Sequence, residues 1–232
     1  DSMDIKTVGV VGAGTMGSGI AQVAAQVGGL NVILNDIKQE FVDRGMSAID
    51  KNLERQVSKE RITADGKTAV LGLIKTSTDV GDMKDADYVI EAAIETLDLK
   101  LDLFKKLDQV CRPGVILATN TSSISVTRIA AATSRPDKVV GMHFFNPAQV
   151  MKLVEVVNGL ATSRETSEAT VALAEKFGKA PVEASDFPGF IANRIVVPMM
   201  NEAMYTLYEG VATVEDIDSC VKLGFNHPMG PL

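Results

Sequence analysis

The 232-residue chain has no tryptophan, two histidines, two cysteines and only 5% aromatic residues. Cys111 and Cys220 stand far apart in no metal-like spacing. That excludes a disulfide framework, suits a reducing compartment and leaves no metal site to expect. No apolar run approaches the roughly 18 residues of a membrane span. The opening "DSMDIKTV" lacks a basic stretch followed by an apolar one, so no signal peptide is expected; Met3 reads as the natural start, with Asp1 and Ser2 as additions. Basic residues are in deficit, 23 against 30 acidic, for a net charge of −7. A nucleic-acid partner is therefore not expected. The remaining default is a soluble protein of a bacterial cytoplasm, or of the mitochondrial matrix if the source is eukaryotic.

With 46% hydrophobic residues the chain has enough apolar material for one large core or two modest ones. "KTVGVVG" reads as a buried strand over Lys6 to Val11, and "TMGSGIAQVAAQVGG" as a helix with a Gly-Gly stop. "NVILND", Asn31 to Asp36, is a second strand. Residues 37–72 are polar and helical, a longer insertion than a crossover needs. Further strands are expected at Tyr88 to Ala92, in "GVILATNTSS", in "KVVGMHFFNP" and in "KLVEVVNG", with an amphipathic helix in "TLDLKLDLFKKLDQVCRPG". Strands alternating with helices imply parallel βαβ units covered on both faces. The turn-rich "DFPG" at Asp186–Gly189 ends this pattern, and the rest reads as helical, with a Thr213-x-x-Asp216 capping signal. The expected architecture is α/β: a Rossmann-type dinucleotide-binding domain, 1–185, followed by a smaller all-helical domain, 186–232.

"GAGTMG", Gly12 to Gly17, fits G-x-G-x-x-G between a strand and a helix, and Asp36 follows about 20 residues later at the end of the second strand. Gly12 permits the tight turn, Gly14 admits a pyrophosphate, and Gly17 lets helix pack on strand. Thr15 and Met16 open the helix whose N–H groups meet the phosphates. Asp36 would accept hydrogen bonds from the adenosine ribose and repel a 2′-phosphate, favouring NAD over NADP, although Lys38 nearby softens that preference. Beside a dinucleotide site, His143 in "HFFNP" and Glu155 inside the apolar "KLVEVV" become a candidate acid–base pair. A carboxylate among valines must face water or be paired. Behind an imidazole it would fix the tautomer and stabilise the imidazolium. The residues alone equally allow a solvent-facing glutamate and a structural histidine.

The chain resembles the L-3-hydroxyacyl-CoA dehydrogenase family, and its bacterial 3-hydroxybutyryl-CoA members above all. The resemblance runs from Met3 to Leu232 through "GAGTMGSGIAQ", "VIEAAIE", "NTSSIS", "HFFNP", "VEVV", "DFPGFIANR" and "LGFNHPMGPL". It implies that His143 is the catalytic base, that Glu155 orients it, and that Ser122 and Asn193 lie at the substrate. It also implies nicotinamide and ribose contacts at Glu95, Lys100, Asn120 and Asn146. A helix cap for Ser122 and a helix cap or interhelical bond for Asn193 are the plainer alternatives. Lys51, Arg55 and Lys59 are spaced to share one helix face, where like charges repel unless an anion sits there. The family resemblance makes that anion the adenine end of an acyl-CoA, with Lys59 as the matching contact; a solvated face neutralised by Glu54 and Glu60 is the alternative. The resemblance further implies helices beyond Leu232 that complete the second domain, and a homodimer in the longer form. The rival functions are a dehydrogenase of a non-CoA hydroxy acid or sugar acid, and a non-catalytic dinucleotide-binding relative.

Overall fold

The computed structural model describes residues 4–232, so Met3 lies outside the described residues. Its β-branched runs form strands β1 (Thr7–Val11), β2 (Asn31–Asn35), β3 (Ile74–Ser77), β4 (Tyr88–Glu91), β5 (Ile116–Thr119), β6 (Val139–Phe144), β7 (Leu153–Asn158) and β8 (Ala180–Ser185). One eight-stranded sheet results, in the order β3-β2-β1-β4-β5-β6-β7-β8. The helices are α1 (Thr15–Gln26), α2 (Gln39–Ser58), α3 (Ala64–Gly72), α4 (Leu97–Val110), α5 (Val126–Ala130), α6 (Arg164–Lys176), α7 (Ala192–Tyr208) and α8 (Val214–Gly224).

The central strands are buried along nearly their whole length because helices cover both sheet faces. Val8, Val10, Ile90, Ala118 and Val156 share a core with Ile20 and Val23 of α1, Ile49 and Leu53 of α2, Leu173 of α6 and its C-cap Phe177. The residues between them in the strands, such as Val89, Leu117 and Val139, are equally buried. Period-two alternation points those side chains to the opposite face. The strand order reverses between β1 and β4, so the crevice beyond their carboxyl ends is where an open α/β sheet takes its ligand.

The all-parallel expectation is corrected at one place. β1 to β6 pair in parallel, but β7 runs antiparallel to β6. The connection 145–152 is too short to carry a crossover, which takes a dozen or more residues. β8 then returns parallel to β7 after the crossover helix α6.

The chain divides after Phe187. The second unit, Pro188–Leu232, contains α7 and α8. Thr213 caps α8 by accepting the Asp216 N–H at 3.2 Å, as its sequence signal predicts.

Candidate active site

The glycine-rich turn follows β1, and its glycines are required for different reasons. Gly12 has φ +104°, and a Cβ there would lie 2.4 Å from the Ala92 carbonyl oxygen. A Cβ on Gly17 would come within 1.7 Å of the Gly12 oxygen. Gly14 is different: its φ is −69° and a Cβ would meet nothing within 4 Å. Neither packing nor backbone conformation demands glycine there, so the bare position leaves room for a ligand. Gly14 is also the N-cap of α1 and offers no side-chain hydrogen bond. The first-turn amides of Thr15 and Met16 thus keep their capacity for an anion.

Asp36 sits just past β2, and both its oxygens are engaged: Oδ2 accepts the Ala13 N–H at 2.7 Å and Oδ1 the Ile37 N–H at 2.7 Å. The carboxylate thereby ties the glycine-rich turn to the end of β2 while keeping lone pairs for ribose hydroxyls. These residues line a cavity of about 1090 Å³ with Phe41, Arg44, Asp79, Ile94, Leu99 and Lys106. Arg44 lies over the Phe41 ring at 4.9 Å and Lys38 over the same ring at 5.6 Å. Sequence reasoning noticed Lys38 but missed the Phe41–Arg44 stack, because nothing in one-residue patterns marks an aromatic as a cation platform. An open glycine, uncapped helix amides, a paired acid and a cavity of this size fit a dinucleotide.

The antiparallel register sets His143 of β6 directly opposite Glu155 of β7. His143 Nδ1 stands 2.7 Å from Glu155 Oε2, and both residues are buried, at 6% and 1% exposure. A carboxylate offers only acceptors, so the ring N–H donates and Nδ1 carries the hydrogen. Phe145 packs against the imidazole with ring centroids 4.6 Å apart. The arrangement can hold an imidazole in one tautomer and stabilise its cation, which is what a proton-transfer residue needs.

The next two strands of the sheet supply the remaining groups. Asn120, just past β5, accepts the Phe144 N–H through Oδ1 at 2.8 Å and donates its own N–H to the Glu91 carbonyl at 2.8 Å. Ser122 is half-buried, and its N–H donates to Glu95 Oε1 at 3.0 Å. Its hydroxyl makes no hydrogen bond with any described residue. Helix capping in this stretch falls to Ser125, whose hydroxyl accepts the Arg128 N–H at 3.2 Å, so Ser122 is not the cap.

Glu95 also accepts hydrogen bonds from the Thr121 and Ser123 hydroxyls. Burial works against its charge, but the Thr121 hydroxyl, the Lys100 ammonium and the Ser122 N–H outweigh that and hold its carboxyl below the usual range. Lys100 itself is only 1% exposed and points at Glu91 Oε1, 2.5 Å away. Glu91 was not expected to take part. Its signal, a glutamate inside the apolar "DYVIEAA", is the same one that singles out Glu155.

The other expected residues are dispersed. Asn146 is exposed in the connection between β6 and β7. Lys51 and Arg55 are exposed on α2, whose opposite face buries Val42, Gly45, Ile49 and Leu53, and Lys59 is its C-cap. Glu54 does not neutralise this basic row, because it pairs with Lys67 at 2.7 Å. None of the three cations forms an ion pair with a described residue. Asn193 stands in the first turn of α7, in the second unit.

The model of the 3-hydroxyacyl-CoA dehydrogenase NAD-binding domain matches residues 7–187, and that of the same family's C-terminal domain matches 189–232. The chain belongs to the 3-hydroxyacyl-CoA dehydrogenase family. It is 51% identical over 230 residues to a probable 3-hydroxybutyryl-CoA dehydrogenase of Bacillus subtilis, covering 99% of this chain and 80% of the relative. It is 46% identical over 230 residues to a 3-hydroxyadipyl-CoA dehydrogenase of Escherichia coli, covering 99% of this chain and 48% of that protein. The crystal structure of (S)-3-hydroxybutyryl-CoA dehydrogenase from Ralstonia eutropha superimposes with a TM-score of 0.96 at 50% identity, over 99% of this chain and 81% of that one. As a member of this family the chain is an oxidoreductase with an NAD-binding domain, and the cavity beside Gly14 and Asp36 lies within that domain.

Proposed function

We propose that the chain interconverts (S)-3-hydroxybutyryl-CoA and acetoacetyl-CoA, with His143 as general acid and base and Glu155 as its orienting partner. The observation that carries this is the buried 2.7 Å contact between His143 Nδ1 and Glu155 Oε2, near the carboxyl end of β6 in the same sheet as the glycine-rich turn. NAD or NADH, which the first-turn amides beside Gly14 and the Asp36 carboxylate would hold, would supply the hydride chemistry. The chain's own part is the proton. In oxidation the hydroxyl proton passes to His143 Nε2 while Nδ1 keeps its hydrogen bond to Glu155. In reduction the same nitrogen returns the proton to the carbonyl oxygen, and the imidazole ends neutral. Holding the ring by Nδ1 leaves Nε2 as the exchanging atom in both directions. The Ser122 hydroxyl supports this reading as a group available to the substrate oxygen, while the substrate role of Asn193 rests on the family resemblance.

For the CoA moiety we assign the exposed row Lys51, Arg55 and Lys59, which lacks the neutralising partner that Glu54 would have provided. A homodimer and a bacterial cytoplasmic or mitochondrial matrix location belong to the same proposal. No helix among the described residues is long and apolar enough to cross a membrane.

The test is acetoacetyl-CoA-dependent oxidation of NADH by the parent and by His143→Ala, with 3-hydroxyadipyl-CoA as a competing substrate in the reverse direction. Turnover by the parent and its loss in a folded His143→Ala chain that still binds NADH supports the assignment. A folded parent that binds NADH but turns over neither thioester refutes it.

A further inference from the structure

Lys179 stands between α6 and β8, partly buried, and among the described residues it forms no ion pair. Burial pushes its ammonium below the ordinary lysine range, with no carboxylate beside it to offset the effect. Taking an uncompensated charge out of water is unfavourable, so the side chain needs a reason to turn inward.

Its hydrogen bonds give one. Nζ donates to the Ala148 carbonyl at 2.5 Å and to the Met151 carbonyl at 2.8 Å. Both carbonyls belong to the connection 145–152, and neither accepts a backbone N–H from a described residue. Ala148 is 1% exposed, so without the ammonium its carbonyl would be a buried acceptor with no donor. Between those two carbonyls the chain turns: the Pro147 carbonyl accepts the Val150 and Met151 N–H groups at 2.9 and 3.0 Å. Helix α1 packs against the same turn. A Cβ on Gly19 would lie 2.8 Å from Gln149 Oε1 and 3.1 Å from the Ala148 Cβ. Just beyond the turn, the Lys152 carbonyl accepts the Ala180 N–H at 2.8 Å, which ties the end of the connection to the start of β8. The turn 147–151 is therefore gripped between the dinucleotide helix and one ammonium. Asn146 is the residue immediately before it, and His143 lies three residues earlier on β6.

We propose that Lys179 is a positioning residue: by drawing the Ala148 and Met151 carbonyls onto one ammonium, it sets the connection 145–152 so that Asn146 meets the nicotinamide half of NADH. This rests on reading Asn146 as a cofactor contact, which the family resemblance implies. The uncompensated charge is then explained, since one ammonium can satisfy two carbonyls three residues apart and fix both ends of the turn.

The test measures the affinities of NADH and of ADP-ribose, the same cofactor without its nicotinamide, by isothermal titration calorimetry. The variants are Lys179→Met, Asn146→Ala and the two together, with Tm recorded for each. Lys179→Met should weaken NADH roughly threefold or more while ADP-ribose stays within about twofold of the parent. Adding Lys179→Met to Asn146→Ala should change NADH affinity by less than about twofold, because both act through one contact. If Lys179→Met weakens NADH and ADP-ribose alike, its role is general packing and the proposal is overturned. If Asn146→Ala matters but Lys179→Met leaves NADH within about twofold, the positioning role is overturned and the Asn146 contact stands. If the two substitutions weaken NADH multiplicatively, Lys179 does not act through Asn146 and the proposal is equally overturned. If Asn146→Ala itself leaves NADH within about twofold, the Asn146 reading falls and takes the proposal with it. Lys179→Gln stays polar but is uncharged and one bond shorter, so it serves where Lys179→Met does not fold. It should also weaken NADH roughly threefold or more, and an unchanged affinity refutes the role.

Discussion

Shortening Glu155 by one methylene is the sharpest perturbation of the His143 pair. His143 and Glu155 face each other across paired strands, so neither backbone is free to follow the other. Glu155→Asp withdraws the carboxylate by about 1.5 Å, the length of a C–C bond. The contact, 2.7 Å in the parent, would open to about 4 Å, outside hydrogen-bond range. A hydrogen bond to a charged group contributes about 1.5–3 kcal/mol. In the oxidation direction it stabilises an imidazolium that forms only as the hydroxyl proton is transferred, and its loss lowers kcat roughly 10- to 150-fold. Because the missing interaction belongs to the transition state, kcat and kcat/KM should fall together while KM for (S)-3-hydroxybutyryl-CoA stays nearly constant. Glu155→Gln keeps the length and should fall in the same range, since an amide cannot replace the charge and can donate to Nδ1, favouring the wrong tautomer. The assay is steady-state NAD reduction with (S)-3-hydroxybutyryl-CoA on variants whose far-ultraviolet circular dichroism matches the parent. A Glu155→Asp chain retaining kcat within about threefold of the parent would refute the pairing argument, whatever Glu155→Gln does.

Two further outcomes follow from other parts of the molecule. Lys59→Ala should raise KM for acetoacetyl-CoA about two- to fivefold, the effect of one exposed charge, and leave KM for a truncated thioester unchanged; equal effects on both refute the CoA assignment. Asp186 accepts the Ser125 hydroxyl at 2.6 Å and the N–H groups of Val126 and Thr127 at 3.1 and 2.8 Å. Burial opposes its charge, but these hydrogen bonds prevail and hold its carboxyl below the usual value. A depressed folded-state value means that its stabilisation is complete above the unfolded value, about 3.9, and is lost as pH falls through the lower folded one. Asp186→Asn should therefore lower Tm at neutral pH, and its deficit against the parent should shrink below about pH 4. A deficit that does not depend on pH refutes the assignment.

The nucleotide half was legible because its signals are local. A β-branched strand, spaced glycines and an acid at the end of the next strand lie within thirty-odd residues, and steric demand at Gly12 and Gly17 leaves no other residue type there. β3 was not legible: "IKTS" has one large apolar residue and sits at the sheet edge, exposed in its middle. β8 was hidden for the same reason, since "APVEAS" is mostly exposed at the opposite edge. Edge strands need not be hydrophobic on both faces, so periodicity loses them. Glu91 was overlooked for a different reason. Its sequence surroundings matched those of Glu155, but its partner Lys100 lies in a helix whose amphipathic pattern gives no hint that a lysine points inward.

The direction of β7 was in fact implied by the histidine–glutamate pairing. His143 and Glu155 are twelve residues apart in sequence, and each lies within a strand. Subtracting the rest of each strand leaves only residues 145–152 between the two strand ends. A parallel neighbour needs a crossover longer than that, so two such side chains can be set opposite each other only if the chain turns back on itself. An acid–base pair at this spacing and a fully parallel sheet are incompatible. The antiparallel step is therefore how the sheet brings a carboxylate behind the imidazole. It also places both groups on one face of adjacent strands, where a register shift of a single residue would send either side chain to the other face. Val154, Val156 and Val157 on β7 and Met142 and Phe144 on β6, all buried, hold that register. The apolar run around Glu155 thus serves the site directly, by fixing the one alignment in which the glutamate meets the histidine.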